Sequence, residues 1–307
     1  MSEPARVPAA TPSATPNAAR NDALVAAMPA VFVLIWSTGF VVARFGMPHA
    51  PPLTFLAWRY AFSIAAFLAW IVLARAAWPR PGVQWLHLAV TGTLMHAGYL
   101  GGVWMGVKHG IGAGTAALVV GLQPVLTALW VSATGQEHRV SGRQWLGLAL
   151  GLAGLVLVVW RKLGLGEVTA FNLGCCVVAL LAITVATLYQ KRFVKAADVR
   201  TANTVQLTAA LIVTLPLAAL ESGTVELHPE LIGAMAWSVL ALTLGGSSLL
   251  YLLIQRGAAT RVTSLMYLVP PCTALMAWIL FGEPLGLLVL AGLALTAVGV
   301  ALVVRER

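Results

Sequence analysis

Long apolar runs separated by short polar punctuation fill this chain from Leu24 to Val304. At about 20 residues per membrane crossing they divide into ten: 25–43, 53–74, 84–106, 111–133 and 143–160, then 170–190, 202–220, 233–254, 261–281 and 285–303. No run alternates with the period of a barrel strand. A lipid-facing backbone must satisfy its own hydrogen bonds, so each run is expected to be a helix. The short Lys108-His109-Gly110 turn joins the third run to the fourth. Residues 1–23, rich in Ala, Pro, Ser, Thr and Asn, read as a disordered cytoplasmic tail. They lack the apolar core of a signal peptide, and the run that follows is long enough to remain as a span.

The runs are duplicated. Pro124, Thr127, Ala128 and Leu129 lead to Glu137, and 146 residues on Pro270, Thr273, Ala274 and Leu275 lead to Glu283. Further along, Gly147-Leu-Ala-Leu150 with Gly154 is answered by Gly292-Leu-Ala-Leu295 with Gly299. With an odd number of spans per copy, the second copy enters the membrane from the opposite face. The expected fold is therefore an all-α membrane protein, ten transmembrane helices as two inverted five-helix repeats, residues 24–162 and 163–307. Such pairs transport by alternating access around a site near the midplane. Gly147-x-x-x-Gly151 permits close helix approach, as an intramolecular seam or as a dimer face.

Composition agrees with a bilayer setting. At 60% hydrophobic and 9% charged residues, with mean hydropathy +0.88, the chain is far from a soluble globular domain, which averages roughly 25% charged. The net charge of +9 has a topological cause. With the N-terminus inside, 14 Lys and Arg fall in inner segments and four in outer ones (Arg44, Lys108, Arg161, Lys162). That puts both termini in the cytoplasm. Charge scattered over short turns argues against nucleic acid as a partner. Cys175, Cys176 and Cys272 lie inside spans and read as small packing residues.

Polar side chains within spans are costly and so point to function. Arg59 lies in the second span, where a cation meets a substrate carboxylate, holds a gate, or snorkels to the nearer surface. His96 and Tyr99, three residues apart in the third span, share one helical face. Gln123 beside Pro124, and Tyr267 three before Pro270, lie near the middle of the repeated spans, where a proline kinks the helix and frees a carbonyl. Trp36, Tyr189, Gln206 and Tyr251, with Ser247 and Ser248, extend this set into a mostly apolar cavity with a few polar anchors, suited to a neutral or zwitterionic metabolite. Tryptophans 70, 78, 85, 145, 160 and 237 read as the interfacial belt.

No Asp or Glu sits within a span interior, so no carboxylate proton relay, sodium site or lipophilic-cation site is indicated. His96 is the one well-placed group for proton coupling. There is no phosphate-binding loop, no His-Glu-x-x-His and no paired acid at membrane depth. Neither ATP, a metal, a cofactor nor an enzymatic reaction is expected.

Trp36-Ser-Thr-Gly-Phe40, Trp58-Arg59-Tyr60 and the paired Pro…Glu stretches carry a family likeness. Over residues 25–305 the chain resembles the drug/metabolite transporter superfamily, in its EamA-type ten-span branch, and within it the bacterial aromatic amino-acid exporters of the YddG kind. The resemblance implies an inner-membrane exporter of aromatic or hydrophobic amino acids and related small metabolites, monomeric or homodimeric in the lipid bilayer; uniport and proton coupling through His96 are equally consistent with the residues. Export of a drug, sugar or purine metabolite with proton coupling is the alternative it leaves open.

Overall fold

The computed structural model describes residues 16–133, 141–164, 166–249 and 268–304; Glu137, Tyr251 and Tyr267 lie outside them. Among the described residues there are ten helical rods and no strand. They are α1 (Pro16–Gly46), α2 (Pro52–Ala74), α3 (Val83–Gly92, Thr93–Leu100 and Gly101–Lys108 in one rod), α4 (Ala113–Val120 and Gln123–Ala133) and α5 (Gly142–Gly164). The second set is α6 (Ala170–Phe193), α7 (Val199–Ala218), α8 (Pro229–Trp237 running into Ser238–Ser247), α9 (Val269–Phe281) and α10 (Leu287–Val304). Among the described residues, four stretches are long and apolar enough to cross a membrane: Pro52–Ala74, Ala170–Phe193, Val199–Ala218 and Pro229–Ser247. Five shorter apolar stretches accompany them: Ala30–Gly46, Ala113–Thr127, Trp145–Trp160, Val269–Phe281 and Leu287–Leu302.

Three local features depart from plain rods. The helix of α1 is already formed at Pro16, ahead of the apolar run, with a proline in the first turn where its missing N–H is not needed. The run 111–133 is broken rather than continuous. Leu122 N donates to Val119 O at 3.2 Å in a tight turn, and Pro124, which has no N–H, opens the first turn of the next piece. Gly121 has no room for a side chain there, since a Cβ would lie 2.6 Å from Cγ of Pro270. Third, α3 and α8 each widen into a π-helix, over Thr93–Leu100 and Ser238–Ser247. Such insertions are rare and cluster at functional positions.

The core lies between the halves. α2 packs on α7, α3 on α6 and α7, α4 on α9, and α1 on α8 and α9. Phe55 and Trp104 stack at 4.4 Å, and Phe32, Tyr60 and Phe67 are fully buried. Large apolar side chains such as Leu73 and Trp160 face outward, as a lipid-facing surface requires. α5 and α10 meet backbone to backbone. A Cβ on Gly154 would overlap Gly292 O, and one on Gly299 would overlap Gly147 O and come within 2.6 Å of Gly151 N. The small-residue stripe is thus an intramolecular seam. α3 and α7 cross as closely, Gly92 lying directly on the backbone of Gln206.

Candidate functional site

Two adjacent residues of α2 each tie down one of the π-helical stretches. Arg59 is 6% exposed and donates to Thr243 Oγ1 from Nε and Nη2 at 3.3 and 3.2 Å. Thr243 in turn donates to Ser238 O at 2.8 Å, five residues back, the spacing of a π turn. Tyr60 donates to His96 O at 2.8 Å, with its ring edge-on to the imidazole. Among the described residues no carboxylate lies within ion-pair reach of Arg59, and Nε2 of His96 is buried without a hydrogen-bond partner. Among the described residues the buried guanidinium thus has one neutral hydroxyl as its hydrogen-bond partner, and the imidazole nitrogen near it has none; buried polar groups so sparsely paired are uncommon.

Both side chains face a cavity of about 90 Å³. Trp36, Arg59, His96, Tyr99 and Gln206 of the sequence-predicted set all line it, with Ser247. The rest of the wall is chiefly apolar, from Phe40, Leu100, Val103, Trp104 and Leu242. Two polar lining residues absent from the sequence-predicted set are Gln190 and Asn203. Asn203 stands one helical turn before Gln206, so the spacing that pairs His96 with Tyr99 would have found it.

The remaining predicted residues lie elsewhere. Tyr189 points away from the cavity, its hydroxyl 2.8 Å from His87 Nδ1 and its ring against Phe193. Gln123 donates to Thr187 Oγ1 at 3.0 Å, bridging α4 to α6. Pro124 and Pro270 sit in the first turns of their helices, at the crossing of α4 and α9. Tyr251 and Tyr267 fall outside the described residues.

The two ends of the bundle differ. At one end, carboxylates from the second half cap helices of the first. Glu221 accepts from Leu53 N and Thr54 N at 2.9 and 2.8 Å, and Glu283 accepts from Ala113 N at 2.9 Å. Helix N-termini favour such anions. Lys108 Nζ donates to Met47 O at 2.6 Å, and buried Lys162 holds Glu167 at 3.0 Å and Glu283 at 3.8 Å. The cavity approaches the other end, where Gln190 at the close of α6 and Asn203 at the start of α7 line it. There Asp198 caps α7 and is held by Arg200, whose hydrogen bonds keep the carboxyl below its ordinary range.

Comparison with known proteins gives a consistent picture. The model of the EamA-like transporter family matches residues 24–160 and again 172–305. A probable amino-acid metabolite efflux pump of Salmonella typhimurium is 26% identical over 277 residues, covering 87% of this chain and 90% of that protein. The inner membrane transporter YedA of Escherichia coli is 26% identical over 267 residues, covering 85% and 84%. A transporter of Archaeoglobus fulgidus is 23% identical over 286 residues, covering 91% and 96%. A crystal structure with 17% sequence identity superposes with a TM-score of 0.65 over 90% of this chain and 95% of its own, a likeness of fold.

Proposed function

The chain belongs to the EamA-like transporter family, and from that premise we propose that it exports aromatic or hydrophobic amino acids and related small metabolites across the inner membrane. The observation that carries this reading is Arg59, a buried cation whose hydrogen-bond partner among the described residues is a single hydroxyl, in a largely apolar cavity. An α-carboxylate meets the guanidinium, which suits planar two-point recognition. His96 and Gln206 are within the same wall for the amino group, and Trp36, Phe40 and Trp104 accept the side chain. The Salmonella typhimurium relative, a probable amino-acid metabolite efflux pump, points the same way.

Transport proceeds by alternating access between two inverted five-helix repeats, residues 24–162 and 163–307, with both termini cytoplasmic. The α5–α10 seam supports the inversion: Gly147 meets Gly299 while Gly154 meets Gly292, so two equivalent helices run antiparallel. In this orientation the glutamate-capped end faces outward and is closed, and the cavity is reached from the cytoplasm.

The test is counterflow of labelled phenylalanine in proteoliposomes, with and without an imposed pH gradient. Uptake competed by tryptophan and methionine, but not by the corresponding amines, is the expected result, and indifference to the gradient identifies a uniporter. Absence of counterflow for every amino acid, in protein shown to be folded, would falsify the substrate assignment.

A further inference from the structure

At the capped end, away from the cavity, three side chains with no part in the transport reading stand together. His49 lies between α1 and α2, His228 is the N-cap of α8, and Glu230 is in its first turn. One ligand atom from each lies within 4.8 Å of the others. Nε2 of His49 is 3.1 Å from Glu230 Oε2, and its Nδ1 faces Glu226 Oε2 at 3.9 Å. The two imidazoles stack at 4.2 Å, and Glu226 N donates to the carbonyl of His49 at 2.9 Å.

We propose that His49, His228 and Glu230 form a binding site for a divalent transition-metal cation of the zinc class, bridging the two halves of the chain. Two imidazoles and a carboxylate are the donor set of zinc and its neighbours, whereas calcium and magnesium take oxygen alone. Bonds of about 2.0–2.1 Å around a tetrahedral ion put neighbouring ligand atoms a little over 3 Å apart, which is the spacing of His49 Nε2 and Glu230 Oε2. Glu226 stands behind His49 on its Nδ1 side, as carboxylates do behind metal-bound histidines. No Lys or Arg occurs between Glu221 and Glu230, and Lys108, the cation on the His49 loop, is engaged by the carbonyls of Met47 and Ala50.

His228 is the moving part. Its ring is 12° from parallel with that of His49, and two stacked rings cannot both point at one ion. The ring is exposed, and among the described residues it is held by its stack on His49 and a 3.3 Å bond from Glu230 N, both of which it gives up as it turns a nitrogen toward the ion. Water completes the coordination. On the transport reading above, on which this clause alone rests, such an ion clamps the outer end shut.

Isothermal titration of tag-free, full-length protein in detergent with zinc chloride tests the site. The expected result is one zinc per chain with micromolar affinity, weakened at least about tenfold by His49→Ala and by His228→Ala, and unchanged by His109→Ala. Size-exclusion profiles show that the variants are folded. No binding up to millimolar zinc, or binding as tight as native by both histidine variants, overturns the proposal. In proteoliposomes, external zinc slows counterflow of the native chain and spares the His49→Ala/His228→Ala double variant. Slowing by acid with no effect of zinc would overturn the metal site in favour of a protonation latch. If zinc binds as expected and no amino acid is transported, the metal site stands and the substrate assignment falls.

Discussion

Replacing Arg59 by methionine separates a ligand anchor from a structural cation. An arginine at membrane depth costs roughly 2.5–3.5 kcal/mol on insertion scales. Hydrogen bonds involving a charged group contribute about 1.5–3 kcal/mol, and Arg59 spends two on one shared hydroxyl at 3.2 and 3.3 Å. Two donors on one acceptor count as about one such bond, which nearly cancels the insertion cost, so methionine, of similar length and apolar, should leave stability within about 1 kcal/mol of native or raise it. The effect on a carboxylate-bearing substrate is of another size. Removing one partner of a buried charge pair costs about 2–5 kcal/mol, and about 3 kcal/mol is roughly a hundredfold in affinity. The assay pairs thermal unfolding in detergent with the concentration dependence of phenylalanine counterflow. Arg59→Met should show a near-native Tm and a half-saturating concentration raised about a hundredfold. An unchanged half-saturating concentration, or a large loss of stability, would refute the anchoring role.

Other substitutions test the frame around the site. Gly154→Val forces a side chain into the Gly292 backbone and Thr296 Oγ1, 2.5 Å from the nearest Cβ position; overpacking should cost about 1–3 kcal/mol or more, read as a lower Tm. Tyr60→Phe removes the bond to His96 O at about 1–2 kcal/mol or less, and should slow transport more than it lowers Tm if the π-helical stretch of α3 must hold its shape. Asp198→Asn concerns pH: the native carboxyl titrates below its unfolded value because Arg200 hydrogen-bonds it, so its contribution is present above the unfolded pKa and lost as pH falls through the depressed one. The variant should therefore show a flatter Tm between neutral and acid pH, measured by differential scanning fluorimetry; an identical acid slope would contradict the capping role.

Much of the site was legible because charge in an apolar run is conspicuous. Arg59, His96 with Tyr99, Trp36 and Gln206 could be picked by cost and helical spacing alone, and they converge on one cavity. Tyr189 and Gln123 satisfied the same criterion but found partners of their own, His87 and Thr187. A polar group in a span needs a partner, and sequence does not say whether that partner is a ligand or a neighbouring helix. The π-helices were not legible at all. Thr93–Leu100 and Ser238–Ser247 carry no proline, and each takes a tertiary bond from α2 that no local pattern announces, Tyr60 to His96 and Arg59 to Thr243. The break in α4 was half visible in Pro124, and its exact place was fixed by the contact of Gly121 with Pro270.

The glycine seam has a consequence for ancestry. Gly147 meets Gly299 and Gly154 meets Gly292, so the contact made by each helix is the contact made by its counterpart. Mutual contacts of that kind are what a two-fold axis produces between identical subunits. A single five-helix unit carrying Gly147 and Gly154 therefore already holds both faces of the joint. On the inverted arrangement proposed above, it could have associated with an upside-down copy of itself before a gene fusion tied the two together, provided it could insert in both orientations. The first half expressed alone should still self-associate through that stripe, and lose the ability when Gly154 is enlarged.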